Sequence, residues 1–273
     1  MKAVDLIKVK LERADQHIED LVSDCKAFDD SSPCKIAYRR NSGSGDLTVS
    51  VERVKEVPIA ISTITGDAIQ NLRSALDHLA YQLVIAAGAK PTKQTGFPIS
   101  ESEAKYGDEK SKKVEGMHQT AIDAIDCIKP YKGEYKIIGT KRLWIPGNET
   151  LWKLHSLNNI DKHRLLLPVA SMNRLHPMTK SQSDGIFTDF LGVDPSETVP
   201  SGFMTQPPIR YCPLEAGKVL MVIPASERQD DLRFEFTIAI NEPTIVDGEP
   251  LVDLVRHMRG LVHNYVGILS KFL

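Results

Sequence analysis

No uncharged apolar run of about 18 residues occurs in the chain, so no membrane-crossing helix is expected. The stretch from Met1 to Arg13 carries a charge every few residues and lacks the continuous apolar segment of a signal peptide, which points to the cytoplasm. Cysteine is scarce. Cys25, Cys34, Cys127 and Cys212 form no C-x-x-C pair, and a chain with an ordinary core needs no disulfide framework, so free thiols are expected. There is no surplus of positive charge either. The 34 basic side chains face 36 acidic ones, for a formal net charge of -2. Proteins that coat long nucleic acid carry a basic excess, because phosphate neutralisation drives that binding. Extended DNA binding is therefore not expected, and any nucleic-acid contact must be local. The glycine-rich phosphate loop, G-x-G-x-x-G, the G-x-S-x-G elbow and the H-E-x-x-H zinc helix are all missing, which disfavours nucleotide-driven, dinucleotide, serine-hydrolase and zincin chemistry. Nothing points to a bound cofactor.

What is present has ordinary globular proportions: 41% apolar and 26% charged residues, enough for a sizeable core. Leu6, Val9, Leu11, Ile18, Leu21 and Val22 recur at roughly helical spacing and predict a helix over 4–28, stopped by turn formers at 29–33. β-Branched residues on either side of a Gly/Ser/Asn turn predict a hairpin of 36–40 with 47–54. Ile69, Leu72, Leu76, Leu79, Ala80 and Leu83 trace the stripe of a long helix over 61–87, with Gly88 and Pro91 as its stop. Residues 89–113 read as a long polar connection around Phe97 to Ile99, too long to be idle in a compact domain. A short helix over 114–128 ends at Pro130, and Asn148 or Thr150 caps another that holds Leu151, Leu154, Leu157 and Ile160. Residues 165–170 read as a buried strand, with further strands at 184–191, 218–224 and 232–240. The last helix, over 249–272, has the cleanest stripe, from Leu251 to Leu269. With no repeat and no compositional break, residues 1–273 read as one α+β domain: a helical bundle core with an N-terminal hairpin and an inserted antiparallel β-sheet. Trp144 and Trp152 read as core anchors rather than base-stacking platforms.

Three polar clusters stand out. On the long helix, Asn71, Ser74 and His78 lie opposite the apolar stripe, while Arg73 and Asp77 flank it four residues apart. They form either an intrahelical ion pair beside a half-buried histidine, or a working site. His155, Asn158, Asn159, Asp161, His163 and Arg164 end the following helix. They either cap its negative pole or bring Asp161 or His163 into one pocket with Arg73 and His78. Asp77, His78, Asp161 and His163 are also types that a bundle offers a divalent metal, although no tight ligand spacing marks them. The third cluster is Arg256, His257, Arg259 and His263 on the last helix, which reads either as a solvated flank or as a rival site.

Arg73 and His78 have the spacing Arg-x4-His, which resembles the R-x4-6-H motif of the HEPN superfamily of helical ribonucleases. That resemblance implies metal-independent RNA cleavage by the arginine and histidine acting together, commonly across a homodimer interface, with RNA as the partner. Asp77 and Asn71 would support the pair, and Asp161, His163 and Arg164 would contribute binding. The chemistry is sound in itself. An imidazole can take the proton of an attacking 2′-hydroxyl, and a guanidinium can brace the phosphoryl oxygens. On an ideal helix, however, positions 73 and 78 diverge by about 140°, so a kink, a long reach or a second subunit is needed. Arg256 and His263 also meet the looser spacing, and seven residues return nearly to the same face. The segment Leu261 to Tyr265 resembles the Leu-Val-His-x-Tyr tail of small HEPN toxins, which implies a toxin-type or defence role. It departs from them at Met258, where their arginine stands. Over about residues 60–170, the runs 71–80 (NLRSALDHLA), 95–99 (TGFPI) and 161–164 (DKHR) also resemble a group of uncharacterised bacterial and phage proteins. The remaining alternatives are a non-catalytic binding or regulatory helical module, in which the polar cluster is architectural, and a metal-dependent hydrolase.

Overall fold

The computed structural model describes residues 3–138, 141–175, 209–226 and 233–273. In chain order, α1 (Ala3–Asp30) leads into a hairpin of β1 (Cys34–Arg40) and β2 (Leu47–Val54), then α2 (Ile59–Ala86), α3 (Glu103–Lys113) and α4 (Gln119–Ile128). A second hairpin, β3 (Glu134–Ile138) and β4 (Lys141–Ile145), precedes α5 (Glu149–Asp161). Five strands follow, β5 (Pro168–Leu175), β6 (Ile209–Tyr211), β7 (Val219–Ile223), β8 (Arg233–Glu242) and β9 (Val246–Pro250), and α6 (Leu251–Leu269) closes the chain. The class is α+β. No helix among the described residues is long and apolar enough to cross a membrane. The strand expected at 184–191 lies outside the described residues.

Contacts between Cα atoms divide the chain into two compact units. One is Met1–Cys25, Pro58–Leu167 and Glu242–Leu273; the other is Lys26–Val57 and Pro168–Asn241. Each is assembled from separated stretches, so no compositional break along the sequence marks either one.

In the first unit α2 is the central helix, packed against α5 and α6. Ala68, Ile69, Leu72, Ala75, Leu76, Leu79, Ala80 and Val84 are fully buried along it. Each large aliphatic side chain buried there contributes about 1.5–3 kcal/mol from apolar area alone. The helix ends where Gly88 adopts φ +76°, a conformation that only glycine enters without strain. In α1 the buried positions are Ile7, Leu11, Ala14, Ile18 and Leu21, one turn apart, whereas Val9 faces out. The Asn148 side chain accepts a hydrogen bond from Leu151 N and so caps α5, as its position predicts.

The expected polar connection at 89–113 is half helix. The Ser102 side chain caps α3 by accepting from Lys105 N, and Tyr106 is the one buried residue along it, so no apolar stripe announced it. The expected strand at 165–170 begins later, at Pro168. Leu165 and Leu167 are exposed and only Leu166 is buried, because α5 runs out in a turn at His163 and Arg164 that still bonds to Ile160 O. Trp152 is buried, but Trp144 is 47% exposed on β4, which corrects its reading as a core anchor. The β3–β4 hairpin pairs Glu134–Ile138 antiparallel to Lys141–Ile145.

The second unit is β-rich. β2 is flanked by β1 and β7, and β5 by β6 and β8, all antiparallel. The β1–β2 turn is held by Asn41, whose Oδ1 accepts from Gly43 N and Ser44 N. Alternate residues Leu47, Val49 and Val51 of β2 point inward and meet Ala170, Met172, Leu214, Leu220 and Ile223 in one core. Phe28, in the last turns of α1, packs its ring 6.1 Å from that of Phe236.

Candidate functional site

Arg73 is 7% exposed. Its Nη2 donates to Phe97 O at 2.9 Å and lies 3.0 Å from Asp77 Oδ1, one turn further along α2. The same Asp77 oxygen accepts from Phe97 N at 2.9 Å. One residue of the connection, Phe97, is thus gripped on both its carbonyl and its amide by an i,i+4 pair. Phe97 and Ile99 are driven into the core on either side of Pro98. The runs at 71–80 and 95–99 are therefore two halves of one clamp. Burial lowers the pKa of the Arg73 guanidinium and the Asp77 charge opposes that shift.

Several buried polar groups on α2 and α5 find no partner among the described residues. Arg73 Nη1, Trp152 Nε1, His155 Nδ1 and Asn158 Oδ1 are buried without a hydrogen-bond partner. His155 Nε2 lies 3.1 Å from Asn159 Nδ2. Burial, followed by the charges of Arg73, Lys113 and Lys162, pushes His155 down to about 4, with Glu101 acting weakly the other way. Lys113 is lowered by burial and then by Arg73. The sequence named His155 and Asn158 only as end-of-helix residues and did not single out Lys113. Nothing in spacing connects them to a residue more than one helix away.

The other expected site residues separate. His78 is half-buried and makes no side-chain hydrogen bond among the described residues. Asn71 binds α2 to itself and to α1, donating to Asp67 O and accepting from Lys10 Nζ. Asp161 packs against Gly66, where a Cβ would lie 2.3 Å from its Oδ1. Burial, then the nearby Asp67, raises the Asp161 carboxyl. Gly66 lies about 18 Å along the helix axis from His78, so Asp161 does not join Arg73 and His78 in one pocket. His163 is exposed, and Arg164 forms a fork with the buried Glu242 at 2.7 and 2.8 Å. Among the described residues no three His, Cys, Asp or Glu side chains gather as a metal site, so Asp77, His78, Asp161 and His163 do not form one.

The α1–α6 contact does gather reactive types. Arg259 and His263, one turn apart on α6, reach the same carboxylate: Arg259 Nε donates to Asp15 Oδ1 at 2.6 Å, and His263 Nε2 lies 3.1 Å from it. Burial raises the Asp15 carboxyl, but hydrogen bonds and charge from Arg259 and His263 outweigh it and hold the carboxyl below its usual value. Asp15 and Arg259 line an open groove of about 440 Å³ with Ile18, Glu19, Val22 and Arg256. Arg256 and His263 are thus on one accessible side of α6, as their seven-residue spacing requires. Asp15 was missed in the sequence because it lies 248 residues from His263, and α1 offers several acidic neighbours with equal claim.

No family model matches the chain, and no curated protein or solved structure is similar to it.

Proposed function

We propose that this chain is a HEPN-like RNA-binding protein that cleaves RNA without a metal, and that its working group is Asp15, Arg259 and His263 with Arg256 beside them. The observation that carries this reading is the Asp15 carboxylate holding an imidazole and a guanidinium at the edge of an open groove. With Nε2 oriented by Asp15, the Nδ1 of His263 is the nitrogen left to take a proton from an RNA 2′-hydroxyl. The 2′-oxygen then bonds to phosphorus, the bond to the 5′-oxygen breaks, and that oxygen takes a proton from water. Arg256, together with the terminal nitrogens that Arg259 does not spend on Asp15, braces the phosphoryl oxygens as charge builds on them. Arg73 is a weaker choice for this role, because its guanidinium is buried and holds Phe97.

The role fits a cytoplasmic toxin-type or defence protein, and the resemblance to HEPN motifs implies a homodimer. Incubating the full chain with mixed RNA in excess EDTA tests the activity. The expected products end in 2′,3′-cyclic phosphate. RNA left intact under these conditions overturns the proposal.

A further inference from the structure

The β3–β4 hairpin has two unlike faces. On one, Lys136 is held by Glu103 and Glu134 at 2.7 and 3.3 Å. On the other, register places Tyr135 opposite Trp144 and Ile137 opposite Arg142, and these residues are covered by little. Tyr135 is 58%, Ile137 80% and Trp144 47% exposed. The two aromatic rings lie 4.9 Å apart at 60°, and the Arg142 guanidinium sits 4.2 Å over the Tyr135 ring. Trp144 is fixed from behind by Gly133, where a Cβ would lie 2.5 Å from its indole. Exposed aromatics kept in place by a cation and a glycine form a platform rather than a mobile surface.

Charge says what the platform fits. In a chain of net charge -2, the segment 129–145 holds Lys129, Lys132, Lys136, Lys141 and Arg142 against Glu134 alone. Of these cations Arg142 stands on the aromatic face itself, and the net positive charge of the segment beside exposed ring faces suits a polymer with negative links and flat rings. Duplex bases are already stacked and offer no ring face to Tyr135 or Trp144.

We propose that this outer face of the β3–β4 hairpin docks single-stranded nucleic acid, with bases stacking on Tyr135 and Trp144 and the phosphates meeting Arg142. This surface is separate from the α1–α6 group and stands without it. Stacking and phosphate contacts make no use of a 2′-hydroxyl, so RNA and DNA strands bind alike.

Fluorescence anisotropy with labelled single strands of about 12 nucleotides, in RNA and DNA, tests the proposal. DNA lacks the 2′-hydroxyl, so it reports binding even if the proposed cleavage chemistry is wrong. Both strands are expected to bind and to quench Trp144 emission, with affinity falling as salt rises. Trp144→Ala and Tyr135→Ala each weaken binding about 5- to 150-fold, the effect of losing one stacked base. Arg142→Glu, which removes the cation over Tyr135 and reverses its charge, weakens binding and flattens the salt dependence. Absence of binding, equal binding by the hairpin variants, or tighter binding to a duplex overturns the proposal. So does binding to vesicles of anionic phospholipid with no binding to either strand.

Discussion

Replacing Arg73 by alanine tests whether α2 is architecture at this point. Three contributions are lost: the charge-assisted bond to Phe97 O, the pairing with Asp77, and the packing of a long stem among buried neighbours. A hydrogen bond to a charged group is worth about 1.5–3 kcal/mol. The Asp77 side chain is 41% exposed, so water screens the ion pair to about 1 kcal/mol or less. Truncating the buried stem adds a packing loss. Against these, removing a buried guanidinium with an unpartnered Nη1 relieves a desolvation cost. The balance is a loss of about 3 kcal/mol, read from urea unfolding as a lower midpoint at unchanged slope. Asp77→Ala removes the acceptor of Phe97 N and should speed hydrogen exchange at that amide. The double variant should cost less than the sum of the single ones, since both grip the same residue and each other. If Arg73→Ala unfolds within about 0.5 kcal/mol of the parent, or if the two losses simply add, the clamp is not what holds the connection.

Acid should weaken the first unit through His155. Its folded pKa of about 4 lies below its unfolded value, so between roughly pH 6.5 and 4 the unfolded chain takes up a proton that the native chain refuses. That stability is present above this window and is lost as pH falls through it, on the order of 3 kcal/mol in full. Urea titrations at several pH values should therefore show a shallower acid loss for His155→Phe, and identical slopes would contradict the assignment. Gly147→Ala has no room, because a Cβ there would meet Tyr131 O at 2.2 Å and Gly133 N at 2.6 Å. Both neighbours are backbone, so the thermal midpoint should fall by the equivalent of about 2 kcal/mol or more, and an unchanged midpoint would show that the turn before α5 opens freely. Asp161→Asn should stabilise the chain at neutral pH, since burial and Asp67 disfavour the charged form. A lower melting temperature for this variant would point to a bonding role for the carboxylate.

The helices were legible where one face alone is buried. α6 shows this best, since Leu254, Met258, Val262, Val266 and Leu269 return every turn. The first hairpin was legible from its turn, because Asn41 and Gly45 suit that geometry wherever the strands go. α3 was not, because it buries Tyr106 and little else, and its capping serine is a signal only when a stripe follows. The β3–β4 hairpin escaped for a related reason. Its residues alternate between two largely open faces, so no pattern of burial is written into it, and Trp144 reads as a core residue by type alone. At the sites, spacing identified residues that share a helix face but not what faces them. Arg73 with Asp77 is visible at four residues, whereas Phe97 lies 24 away and Asp15 lies 248 from His263. On α2 the geometry ties Arg73 and Asp77 to Phe97, while His78 makes no side-chain hydrogen bond among the described residues.

The most direct measurement is the rate of RNA cleavage in excess EDTA by the parent chain, His263→Ala and His78→Ala, with each variant shown to be folded. If His263 is the general base, its removal should slow cleavage by about 100-fold or more, while His78→Ala should stay near the parent rate. Cleavage lost with His78→Ala and kept with His263→Ala would return the chemistry to α2 and contradict the account.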